Sequence, residues 1–244
     1  MEFSQFKSLF TEIFQLNLLE SYIADENIEK FYDLTRLMLE KNAVMNITAI
    51  RDVEKIIPLH YADCAMIAPY IPQNANVMDI GCGGGFPTLP LAIIRPDITI
   101  IGVDSTEKKV KYVADTATSL GLSNVSTISA RAEELVYMPN MRESFDVVTS
   151  RAVARLNILN ELCMPFLKVG GQFIVMKGAA GQEELQEACG GIKTLGGQVV
   201  LNQSTNLILH EMEKEKRVIV VVNKIMSTPS QYPRQFGQIK KKPL

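Results

Sequence analysis

The sequence predicts an α/β fold in which a seven-stranded, mostly parallel sheet carries an antiparallel hairpin at one edge and is preceded by a set of helices. Three observations predict it. Apolar residues recur with helical spacing up to about residue 68, short β-branched runs alternate with helical stretches beyond Pro72, and a glycine-rich turn follows the first of those runs.

In the N-terminal region the stripes with helical spacing are Phe3, Phe6, Phe10, Ile13 and Phe14, then Ile28, Phe31, Tyr32, Thr35, Met38 and Leu39, then Val53, Ile56, Ile57, Tyr61, Cys64 and Ile67. The third stripe includes His60 and Asp63, three residues apart on one helical face, so the two side chains can meet; a histidine satisfied within the core is the competing reading. Strands are expected at 77–80, 98–103, 125–129, 145–149, 172–176, 198–201 and 218–223. Helices at 89–94, 110–120 and 132–137 connect the first four strands as parallel crossovers. A polar loop without helical periodicity separates the last two, which predicts the edge hairpin. The division is a helical region over 1–70, a sheet domain over 71–226 and a basic tail over 227–244.

Composition narrows the class. The chain has 244 residues, 47% hydrophobic and 21% charged, so it can bury a core. No run reaches the roughly 18 apolar residues of a membrane span, and Met1-Glu2-Phe3-Ser4 lacks the order of a signal peptide, so a cytoplasmic protein without membrane contact is expected. Cys64, Cys82, Cys163 and Cys189 are scattered without metal-ligand spacing, which predicts reduced thiols and no metal site. Net charge is only −2, but from Lys214 onward eight basic side chains face the single acid Glu215. That segregation predicts either a solvated tail or a phosphate-binding patch at Arg234, Lys240, Lys241 and Lys242.

The most specific local signal is Asp79-Ile80-Gly81-Cys82-Gly83-Gly84-Gly85-Phe86-Pro87, between a strand and a helix. Bare backbone at such a turn lets a ligand approach closely. A dinucleotide fingerprint requires a third glycine where Phe86 or Thr88 stands, so NAD is disfavoured. Acidic-x-Gly-x-Gly-x-Gly, with Asp79 ahead of Gly81, Gly83 and Gly85, resembles instead the first motif of S-adenosylmethionine methyltransferases. The second strand ends in Asp104, placed to accept hydrogen bonds from a ribose or to cap the next helix. Ala132 and Glu133 follow the third strand, where adenine contacts fall in such proteins.

The fourth strand leads into Ser150-Arg151-Ala152-Val153-Ala154-Arg155, which has neither the Asn or Asp with prolines that serve an exocyclic amine nor a cysteine nucleophile. No acid or base is therefore expected, and Arg151 and Lys177 are the candidates for positioning, Lys177 also for contact with RNA. An acceptor with a free lone pair, such as guanine N7, suits this arrangement.

Taken in order, Asn46-Ile47-Thr48, His60 with Asp63, residues 79–87, Val103-Asp104-Ser105 with Lys108, Arg131-Ala132-Glu133, Ser150 to Ala154, Met176-Lys177-Gly178 and Tyr232-Pro233-Arg234 resemble the bacterial small-subunit ribosomal RNA methyltransferase G family, also called glucose-inhibited division protein B. The resemblance implies a Rossmann-like class I fold and S-adenosylmethionine as cofactor. It implies methyl transfer to guanine N7 in the decoding-region loop of 16S ribosomal RNA, with the RNA or a small-subunit precursor as partner and a monomeric enzyme. It also places Gly81, Phe86, Ala132, Glu133 and Arg151 at the cofactor. Cys82, Cys64 and Gln235 depart from residues common in the family. The competing functions are a small-molecule methyltransferase on the same fold and a noncatalytic ribosome-binding protein.

Overall fold

The computed structural model describes residues 1–210 and 212–244. Helices α1 (Phe3–Leu16) and α2 (Asp25–Asn42) pack through the expected stripes. Phe6, Phe10, Ile13 and Phe14 are all buried, and Phe10 stacks on Phe14 with ring centroids 3.9 Å apart. The third helix, α3, begins at Val53–Ile56, widens through a π-helical stretch at Ile57–Ala62 that contains Pro58, and ends with Asp63–Ala65. Proline lacks the amide that would continue the ladder, and such widened turns mark places where side chains are re-aimed. Here they carry His60 and Asp63.

The sheet follows. Its strands are β1 (Asn76–Ile80), β2 (Thr99–Asp104), β3 (Val125–Ser129), β4 (Phe145–Ser150), β5 (Leu167–Lys177), β6 (Gly197–His210) and β7 (Glu213–Lys224), in the order β3-β2-β1-β4-β5-β7-β6 among the described residues. The first five run parallel, and β7 is antiparallel to both of its neighbours. Crossovers use α4 (Thr88–Ile94), α5 (Glu107–Ser119), the short α6 (Ala132–Leu135) and α7 (Leu156–Cys163), and α8 (Gly181–Thr194) precedes the hairpin. Strand order reverses between β1 and β4, so their carboxyl ends open a crevice there. One apolar cluster joins α1–α3 and α4 to one sheet face without a break at position 70, and a second covers the opposite face.

Two expectations need correction. The edge hairpin is far longer than 198–201 paired with 218–223, because the stretch read as a polar loop continues as strand, with Thr205 opposite Arg217 and Leu207 opposite Glu215. The cause is tertiary: Leu207 is buried in the cluster shared with the N-terminal helices, and the Asn17 side chain donates to the Ile208 carbonyl at 2.9 Å and accepts from its amide at 2.8 Å. The second concerns the C-terminal segment, which packs as helix α9 (Phe236–Lys241) with Ile239 wholly buried. Burying one such side chain stabilises by about 2 kcal/mol, enough to hold a helix too short to persist alone. No helix among the described residues is long and apolar enough to cross a membrane.

Candidate active site

A cavity of about 500 Å³ opens at the crevice. One wall is the turn after β1. Gly81 and Cys82 donate their amides to the Val103 carbonyl at 2.8 and 2.9 Å, which folds the turn back over β2. Gly81, Gly83 and Gly85 all have left-handed φ, at 78°, 53° and 89°. They serve different ends. A Cβ on Gly85 would lie 2.6 Å from Leu89 and one on Gly81 2.2 Å from Val153, whereas a Cβ on Gly83 would meet nothing closer than 3.9 Å. The Gly83 backbone is thus the bare surface of the cavity. Its amide donates to Asp104 at 3.0 Å, and Thr106 donates to the other Asp104 oxygen at 2.8 Å, so the carboxylate is fixed by two backbone groups while still lining the cavity.

Of the residues expected at the cofactor, Gly81, Gly83, Phe86, Asp104, Ala132, Glu133 and Arg151 line this cavity. Asp79 and Gly85 do not. Asp79 is 0% exposed beneath the turn, where Thr88 donates to it at 2.6 Å; burial pushes its carboxyl up to about 7 despite that hydrogen bond, and its second oxygen has no partner. It braces the start of α4. Gly85 likewise turns the chain into α4, closely packed on Leu89.

The opposite wall comes from far away in sequence. The loop at 46–50 is clamped by Asn42, whose side-chain oxygen accepts from the amides of Ile47 and Thr48 at 2.8 and 3.1 Å. Ile47 lies against Gly84, and Thr48 and His60 line the cavity. His60 stacks on Phe86 with centroids 4.4 Å apart, and Arg151 lies over the same ring at 5.9 Å. Burial, and next the positive charge of Arg151, hold the imidazole down at about 3, so His60 is neutral at physiological pH. His60 and Asp63 thus both contact Arg151. Asp63 joins Arg151 at 3.3 Å and Arg217, from the hairpin, at 2.7 Å. Phe236 of α9 also reaches the cavity, and nothing in its sequence context signalled that.

Lys177 lies elsewhere. It faces an adjoining cleft of about 540 Å³ that shares Arg151, Ala152 and Val153 with the main cavity. Its ammonium donates to the Ala154 carbonyl at 2.5 Å and pairs with Glu184 at 3.0 Å, so its charge is largely spent within the chain. Arg234, expected to bind phosphate, is also engaged internally. It binds both oxygens of Glu161, with its nearest contact at 2.6 Å, because that carboxylate on α7 is 0% exposed and requires a counter-charge. Lys240, Lys241 and Lys242 are exposed. Ser150 donates to the Ile80 carbonyl at 2.7 Å, and Cys163 is buried with its thiol pushed up by burial, so neither is a free nucleophile at this crevice.

The strand order and the glycine-walled cavity at its reversal point define a Rossmann-like α/β fold with a ligand site at the carboxyl ends of its strands. Solved structures share the fold. The YcgJ protein of Bacillus subtilis superposes with a TM-score of 0.53 and 16% identity over 69% of this chain and all of that one. M. jannaschii TYW2, solved in complex with AdoMet, gives 0.55 and 15% identity over 75% of this chain and 80% of its own. The sequence is more specific: the profile of GidB, rRNA small subunit methyltransferase G, matches residues 27–215. Ribosomal RNA small subunit methyltransferase G of Geobacillus kaustophilus is 40% identical over the full length of both chains, and that of Brevibacillus brevis is 42% identical over 91% of this chain and 93% of its own. The chain belongs to the rRNA small subunit methyltransferase G family.

Proposed function

We propose that this protein transfers the methyl group of S-adenosylmethionine to N7 of a guanine in the decoding-region loop of 16S ribosomal RNA, as a monomer in the cytoplasm. The observation that carries the reading is the pairing of a cofactor-sized, glycine-walled cavity with a crevice where, among the described residues, His60 and Ser150 are committed to protein partners and burial keeps the Cys82 and Cys163 thiols protonated. Bound S-adenosylmethionine supplies an electrophilic methyl on a sulfonium. The residues present fit that group. The bare backbone of Gly83 would leave room for its body, Asp104 would accept from ribose hydroxyls, and Ala132 and Glu133 would hold the adenine end.

Guanine N7 has a lone pair and no proton to lose, so alignment and a water-poor site suffice. His60 is neutral and committed to Arg151 and Thr48, Asp79 is buried away from the cavity, and the remaining polar groups near β4 are engaged in the chain. An acceptor requiring a base would be poorly served. The cleft across residues 151–153 suits an extruded base, and its rim carries Arg155 and Lys177. Mapping modified guanines in 16S RNA tests the reading. Cells lacking the gene should lose one N7-methylguanine, restored by the wild-type chain and not by Gly83→Val; an unchanged methylation map overturns it.

A further inference from the structure

Thr48, His60 and Arg151 stand in hydrogen-bonded sequence at one end of the cavity, and counting their donors and acceptors leaves one proton with a place to go. Arg151 carries only donors. Its contact with His60 Nδ1 at 3.1 Å therefore requires Nδ1 to accept. A neutral imidazole that accepts at Nδ1 carries its proton on Nε2, and that nitrogen lies 2.8 Å from the Thr48 hydroxyl. His60 thus donates to Thr48 Oγ1. The Ile50 amide donates to the same oxygen at 3.1 Å. Both acceptor sites of the hydroxyl are filled, so its own hydrogen must point to another acceptor, and among the described residues no protein group receives it. Thr48 lines the cavity.

We propose that the Thr48 hydroxyl donates to the carboxylate of the cofactor's methionyl end. This deepens the methyltransferase reading and rests on it. The cavity has two chemically distinct ends joined by Gly83. Asp104 and Glu133, beside Lys109 and Arg131, give one end the acceptors that suit ribose and adenine. At the other, Thr48, His60 and Arg151 line the cavity while Asp63, which pairs with Arg151, does not, so an anion there meets donors and no lining carboxylate among the described residues. Arg151 has little left to give directly. It already donates to the Leu59 carbonyl at 3.0 Å, to Cys64 Sγ at 3.0 Å and to His60, and its Nε faces Asp63. The contact with the ligand is thereby passed through His60 to Thr48, whose loop Asn42 holds in place.

Calorimetry with S-adenosylmethionine and with its decarboxylated analogue, which lacks only the carboxylate, tests this. Thr48→Val should weaken S-adenosylmethionine binding by about tenfold and leave affinity for the analogue within about twofold, while Thr48→Ser keeps both near wild type. Thr48→Ala gives the same readout should the valine pack badly. Equal losses for the two ligands, or no loss for either, overturn the assignment to Thr48. Wild-type protein that binds neither ligand overturns the methyltransferase reading as well, and so differs from failure of the threonine alone.

Discussion

The two walls of the cavity are built by opposite means. The wall at 80–86 and 103–105 is local: a strand ends, glycines turn, a helix begins, and the next strand supplies Asp104. The wall formed by Thr48, His60 and Arg151 is assembled from α2, α3, the segment after β4 and the hairpin, joined by Asn42, Asp63 and Arg217. The first depends on backbone shape, which a few residue types dictate. The second depends on partly buried charges, each held by groups more than eighty residues away along the chain. A ligand lying between them meets one wall set by steric absence and another set by electrostatic satisfaction. Damage to the two should therefore differ in kind.

The largest effect is expected at the local wall. Gly83→Val places a branched side chain in open cavity space at a φ of 53°. The left-handed conformation costs about 1–2 kcal/mol in stability, whereas ligand affinity should fall at least about 100-fold, or about 2.7 kcal/mol. Thermal melts and calorimetry with S-adenosylhomocysteine separate the two. A folded variant with unchanged affinity would show that the Gly83 backbone is not where the ligand lies.

The distant wall should fail the other way round. Arg217→Ala removes one of two partners of Asp63, which is 4% exposed, and leaves Arg151 to compensate it alone. Stripping a partner from a buried charge costs roughly 3–5 kcal/mol, reduced here to about 2 kcal/mol because the second arginine remains. Urea unfolding should register that loss, with ligand affinity down by only about threefold to tenfold as the Arg151 end loosens. A stable variant with collapsed affinity would make the hairpin part of the binding surface rather than its support.

The same contrast explains what could be read from the chain in advance. The sheet, its edge hairpin and the glycine turn follow from periodicity and from residues whose backbone freedom is unusual, both visible over a few positions. His60 and Asp63 were visible as a pair on one helical face, but their shared partner Arg151 lies about ninety residues further on, and spacing says nothing about it. The extended part of β6 and β7 escaped because most of its residues are polar, Leu207, Ile208 and Leu209 apart, and its order comes from Asn17 and from Leu207 beneath the N-terminal helices. Asp79 misled for a related reason. An acid ahead of a glycine turn looks like a ligand contact, but β1 points it into the sheet's covering layer, where it meets Thr88.

The smallest effect on the cavity should come from Lys240, Lys241 and Lys242 at the basic end of the chain, none of which lines it. Lys240 and Lys241 occupy the last turn of α9, where cations favourably oppose the helix dipole, and this alone accounts for a few tenths of a kcal/mol. Truncation would confuse that role with others, since Arg234 donates to the Lys242 carbonyl at 3.0 Å and Leu244 packs on Gly191. Substituting Lys240, Lys241 and Lys242 by Gln keeps those contacts and removes only charge. If the lysines follow a phosphate backbone, the dependence of RNA affinity on salt should flatten by up to about 2 in its logarithmic slope, at roughly 0.7 per phosphate contact. Affinity for S-adenosylhomocysteine should not move. A slope equal to wild type, with a small drop in melting temperature, would leave dipole compensation as their whole role and move RNA contact to the rim of the cleft at Arg155.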